Sequence, residues 1–107
     1  MFDLTKALSE YDVDVVRQCL RAAVDGKFFP DWEFETLFGV DRETVRIVSR
    51  QWPKITIPEE DFSAAVIGSL NNILGYPHGN ESNWDKYISA PPGKVKEILD
   101  KLIAIGM

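Results

Sequence analysis

Apolar residues return every three or four positions along most of this chain, the signature of helices that bury one face. The first stripe runs through Leu4, Leu8, Tyr11, Val15, Cys19, Ala22 and Ala23. It predicts a helix from about residue 4 to Asp25, with Gly26 as its stop. A break inside "YDVDV", with Asp12 capping a second helix, fits the same letters. After "FFP", Asp31 is placed to cap a short helix through Phe38, which Gly39 closes. Asp41 caps the next helix, whose inner face is Val45, Val48 and Trp52 and which Pro53 ends. "KITI" is too short and isolated to found a sheet. Pro58 suits a first helical position, and Glu59, Glu60 and Asp61 follow it where the helix dipole favours acids. Phe62, Val66, Leu70, Ile73 and Leu74 form the most regular stripe and mark the central helix. Trp84, Tyr87 and Ile88 share a turn, and a last helix begins near "PPG" and packs Val95, Ile98, Leu99 and Leu102. The pattern predicts an all-α fold, five or six helices around one core, as a single domain over residues 1–107.

Length and charge narrow the function classes. A chain of 107 residues buries roughly two-thirds of its unfolded surface, enough for one core. No apolar run approaches the roughly 18 residues of a membrane span. The opening "MFDLTKALSE" does not read as a signal peptide, and one cysteine permits no internal disulfide, so the expected compartment is the cytoplasm. Net charge is −5, and it is unevenly placed: residues 1–40 hold eight acids against four bases, residues 41–107 nine against eight. Such a balance argues against a nucleic-acid binder and for a basic protein partner.

Catalytic and metal chemistry find little support. One histidine and one distant cysteine offer no metal-ligand spacing, and neither a nucleophile elbow nor a phosphate-cradling glycine loop is present. No enzyme activity, cofactor or metal is expected. Cys19 lies on an apolar stripe and reads as an inert buried thiol. His78 sits in "LGYPHGNES", where Asn80, Glu81 or Asp85 would have to orient it for catalysis. As a turn residue it needs only a backbone carbonyl, and that reading is preferred. Asn71 and Asn72 are expected to tie down the loop that follows them, and Trp84 to plug the core.

Two stretches point to partners. "FETLFGVDRETVRIVSRQW" has the cadence of a helix-turn-helix over residues 33–52, with Arg42, Glu43, Thr44 and Arg46 facing a DNA groove. Four acids against three bases between Glu33 and Trp52 put that reading second. "FFPDWEFETLF", residues 28–38, holds five of the chain's twelve aromatics interleaved with Asp31, Glu33 and Glu35. Phe34 and Phe38, four apart, face the core, while Phe28, Phe29 and Trp32 compete for what is left of it. Rings left outside and surrounded by acids mark an interaction surface. The candidate partner-binding residues are therefore Asp31, Trp32, Glu33 and Glu35, with His78 as a further presented residue.

From Trp32 to Leu102, the order "W.FETLFGV", "SLNNILGYPHG", "W.KYIS" and a final amphipathic helix resembles small all-helical immunity proteins of bacterial polymorphic-toxin and contact-dependent growth inhibition systems. Residues 70–89, "LNNILGYPHG…W..YIS", carry the most specific part of the likeness. The resemblance implies a cytoplasmic protein that binds a cognate toxin domain, often an RNase or DNase, and blocks it. It brings no set of functional residues with it. A helix-turn-helix regulator and a small adaptor domain are the alternatives, and the sequence leaves the oligomeric state open.

Overall fold

The structure is a computed structural model that describes residues 4–79 and 81–107. It is all-α: no strand occurs among the described residues. A single turn, α1 (Leu4–Ala7), precedes α2 (Glu10–Asp25), α3 (Asp31–Phe38), α4 (Arg42–Gln51) and α5 (Glu59–Gly75). A 3₁₀ turn at Glu81–Asn83 leads into the short α6 (Trp84–Tyr87), and α7 (Pro92–Ala104) completes the bundle. The central helix is α5, as its stripe predicts, and it packs against α2, α3, α4 and α7. No helix among the described residues is long and apolar enough to cross a membrane.

Two expectations at the start of the chain need correction. The first stripe is broken after Leu8 rather than at Asp12. Ser9 caps α2 by accepting from the Asp12 amide at 3.1 Å, and the Asp12 carboxylate accepts from the Ser9 amide at 3.3 Å. This capping box turns Asp12 inward and Tyr11 outward, so Tyr11 is 51% exposed and Asp12 only 1%. Asp12 meets Lys101 Nζ at 3.0 Å and Lys94 Nζ at 3.3 Å, both on α7. Burial acts to raise its pKa, but the hydrogen bonds from Lys101, the Ser9 backbone and Lys94 outweigh that and hold it below the ordinary carboxylate value. The seam between α2 and α7 thus contains a charge with two partners.

The remaining helices follow their end signals closely. Asp41 caps α4 by accepting from the Thr44 amide at 2.8 Å. Gly39 closes α3 at φ +76°, a conformation that costs glycine nothing. Pro30 and Pro58 occupy the cap positions of α3 and α5, so α5 starts one residue later than expected, and Asp31 is the first helical residue of α3 rather than its cap. Trp52 is buried, stacks on Phe62 at 5.8 Å between centroids and donates its indole N–H to the Val13 carbonyl at 2.8 Å. Trp84 is the expected plug: it is buried and donates to the Ala90 carbonyl at 2.8 Å. Gly68 in α5 has a different task. A Cβ there would come within 2.9 Å of the Phe38 ring, so its absence lets α3 lie close on the central helix.

Candidate functional site

The helix α3 presents the acidic-aromatic stretch, and its helical phase decides what is displayed. Phe34 and Phe38 are buried and stack with centroids 4.1 Å apart. Phe28 and Phe29, in the preceding loop, are buried too, at 1% and 4% exposure. The core takes both of these phenylalanines, contrary to a shortage of room for them. Trp32 alone of the five rings stays outside, at 80% exposure. It lies two residues, about 200° of helical rotation, from Phe34 and so faces away from the core. Thr36 follows one turn later on the same outer side, also exposed. The Trp32 side chain makes no hydrogen bond or ring contact with any described residue.

The three acids have separate fates. Glu35 is exposed and has no partner among the described residues. Asp31 is exposed as well, but one oxygen meets Arg42 Nη2 at 2.9 Å. Glu33 is half-buried and accepts a hydrogen bond from the Tyr76 hydroxyl, so it is only partly available to a partner. That bond to a carboxylate, with burial and the charge of Glu33 adding to it, raises the Tyr76 pKa. Tyr76 belongs to the turn after α5, so the two sequence candidates, residues 28–38 and the His78 loop, meet in space.

His78 behaves as a turn residue. Its Nε2 lies 3.2 Å from the Ile73 carbonyl, and its ring meets Phe28 edge-on at 4.8 Å. Asn80, one of its suggested orienting partners, lies outside the described residues. The His78 turn separates two hollows. One, of about 490 Å³, lies toward the 26–31 loop and Arg42; the other, of about 330 Å³, lies toward Trp84 and Pro92. Asn72 does not tie down the loop that follows it. Its amide donates instead to the Leu37 carbonyl at 3.0 Å and the Gly68 carbonyl at 2.8 Å, fastening the end of α3 to α5.

Arg42 is held within the fold rather than presented from it. Its Nη1 donates to the Ala23 and Val24 carbonyls at 3.0 Å each, groups left without helical partners where α2 ends. Its Nη2 donates to the Phe29 carbonyl at 2.9 Å, and the guanidinium lies over the Phe34 ring at 4.4 Å. This side chain joins the end of α2, the connecting loop and the start of α3, and it does not face solvent as a groove reader would. Arg46 pairs with Glu43, and the Thr44 hydroxyl is bonded to Asp41 at 2.6 Å. The four residues of the supposed reading head are therefore engaged by their neighbours.

Reactive chemistry is equally sparse. Burial pushes the Cys19 thiol up to about 12, which leaves it protonated and inert as read from its stripe. Among the described residues, no group of three or more His, Cys, Asp or Glu side chains is arranged to hold a metal ion. Sequence reasoning missed Tyr76 and the structural role of Arg42; no local spacing marks either, because both contacts join residues far apart in the chain. Comparison with known protein families, with characterised proteins and with solved structures finds no match.

Proposed function

We propose that this chain is a non-enzymatic binding protein of the immunity type, which neutralises a basic toxin domain by covering its active-site or substrate-binding cleft with α3. The observation that carries the reading is Trp32. The chain buries Phe28, Phe29, Phe34 and Phe38 and leaves its largest ring of that stretch outside, with Glu33 and Glu35 to either side of it on the helix. Tryptophan is among the residue types most enriched at binding hot spots, and the Trp32 ring has no task within the fold. Carboxylates beside it favour a cationic surface, such as a nuclease cleft shaped to grip phosphates. The resemblance of residues 32–102 to immunity proteins supports the same class.

The test is kinetic and uses the protein domain encoded next to this gene as the probe. Trp32→Ala should weaken binding by about 2 kcal/mol or more, roughly thirtyfold in Kd, mostly through faster dissociation. Glu35→Lys should slow association and reduce its dependence on salt. If both variants stay folded and bind as the parent does, the interface is not α3. If the neighbouring domain is neither bound nor inhibited, the immunity reading itself fails.

A further inference from the structure

We infer that the hollow between the end of α5, α6 and the start of α7 receives an arginine side chain of the protein partner. The inference rests on the reading of this chain as a binder of a basic protein, and it adds a second contact point to Trp32.

The hollow has a volume of about 330 Å³, within the range of pockets that enclose a ligand group. Its walls are apolar: Ile73 and Leu74 from the last turns of α5, Trp84 from α6 and Pro92 at the start of α7. Tyr76 and His78 from the turn after α5 and two carboxylates, Glu81 and Asp85, four residues apart, complete it. Both carboxylates are exposed, and neither is paired with any described residue. No lysine or arginine lines the hollow. The helix ends bordering it have opposite signs, negative where α5 finishes and positive where α7 begins, so they largely offset each other. The carboxylates therefore set the sign, and the hollow favours a cation.

Its apolar walls specify which cation. A bare metal ion gains nothing from the aliphatic walls of Ile73 and Leu74, and an ammonium ion gains only a cation–π contact with the indole. An arginine brings a hydrocarbon stem for the aliphatic wall and a planar guanidinium that stacks on an aromatic ring while its N–H groups reach two carboxylates. Lysine supplies the charge without the plane. Location supports the same occupant: Tyr76, which borders the hollow, is the residue that donates to Glu33 on α3. A basic surface seated on α3 thus has this hollow at its margin.

The experiment titrates the whole chain, labelled with nitrogen-15, with N-acetyl-arginine amide and with its uncharged citrulline counterpart. The arginine compound should give saturable shifts at the Trp84 indole N–H. The citrulline compound should bind about tenfold more weakly or not at all. Combined Glu81→Gln and Asp85→Asn substitution should abolish the arginine-specific shift and leave the melting temperature unchanged, because both side chains are exposed. Equal shifts with both compounds, or shifts that survive the double substitution, overturn the inference. The same double variant should lose about tenfold in affinity for the partner domain, a loss additive with Trp32→Ala. If Trp32→Ala weakens the partner while the arginine compound leaves Trp84 unmoved, the hollow fails and the α3 reading stands. If the compound saturates the hollow while no basic partner binds α3, the hollow stands and that reading fails. Self-association that the double substitution abolishes would replace the partner's arginine with one from a second copy and overturn the assignment.

Discussion

Trp32 and Trp84 occupy similar local sequence: "DWEF" and "NWDK", each near the start of a helix and beside acids. One is 80% exposed and the other 8%. Helical phase accounts for the difference. Trp84 lies four residues before the buried Ile88, on the same face, whereas Trp32 lies two residues before Phe34 and points the opposite way. Hydrogen bonding follows phase. The indole N–H of Trp84 has the Ala90 carbonyl as its acceptor, as Trp52 has that of Val13, and a buried indole without such an acceptor would be costly. Trp32 has no such bond and stays in water. The comparison shows that composition alone does not identify a binding surface: the same residue type beside acids is core in one place and display in the other.

The widest separation should appear between the two tryptophans themselves. Trp84→Ala should destabilise the fold by about 3 to 5 kcal/mol, the range for emptying a buried aromatic site. Trp32→Ala should change stability by no more than about 0.5 kcal/mol, as exposed substitutions do. Urea unfolding followed by circular dichroism measures both, and a large loss in Trp32→Ala would erase the distinction.

Asp12 extends the contrast to carboxylates, since it is committed to the fold while Glu35 is free. Asp12→Asn should cost about 2 kcal/mol near neutral pH, through the capping box and two charged hydrogen bonds. The sign of its pH dependence follows from the lowered folded pKa. The unfolded chain takes up this proton near pH ~3.9, before the folded chain does, so the stabilisation is complete above that value. It is lost as pH falls through the lower folded value. Denaturant midpoints measured from about pH 7 to about pH 3 should therefore converge for parent and variant in acid. Curves that stay parallel would mean that Asp12 is not held charged. Glu35→Ala, by contrast, should leave the melting temperature unchanged.

His78 should produce the smallest effect. His78→Gln keeps a side chain able to donate to the Ile73 carbonyl and should cost about 1 kcal/mol or less in the same denaturant assay. A larger loss would mean that the edge-on contacts with Phe28 and Phe29 carry the turn.

Much of the fold was legible because its signals are local. The α5 stripe, the Asp41 cap and the Gly39 stop each act within a few residues, and so does the phase that places Val95, Ile98, Leu99 and Leu102 inside. Asp12 shows where local reading stops. Periodicity alone puts Tyr11 on the buried face, but the Ser9 cap resets the helix, and the two lysines that make a buried aspartate tolerable lie more than 80 residues away. The candidate surface divides in the same way. Exposure of Trp32 follows from its offset relative to Phe34 and Phe38, whereas the contact of Glu33 with Tyr76 depends on how α3 lies against the end of α5. The role of Arg42 is not legible locally, because an arginine at the start of a helix after a glycine turn has the same letters whether it faces DNA or the carbonyls of a neighbouring helix.

The way α3 is fastened has a consequence for how this molecule can change. Arg42 holds its start, Tyr76 its flank, and Asn72 with the Phe38–Gly68 contact its end. None of these fastenings uses the side chains of Trp32, Glu35 or Thr36. Those three positions can be rewritten together while the frame beneath them stays constant, as paratope residues are rewritten on an unchanging antibody sandwich. A combinatorial library randomised at 32, 35 and 36 should consist mostly of folded members, and a lineage pressed to follow a changing partner has the same route open to it without loss of its core.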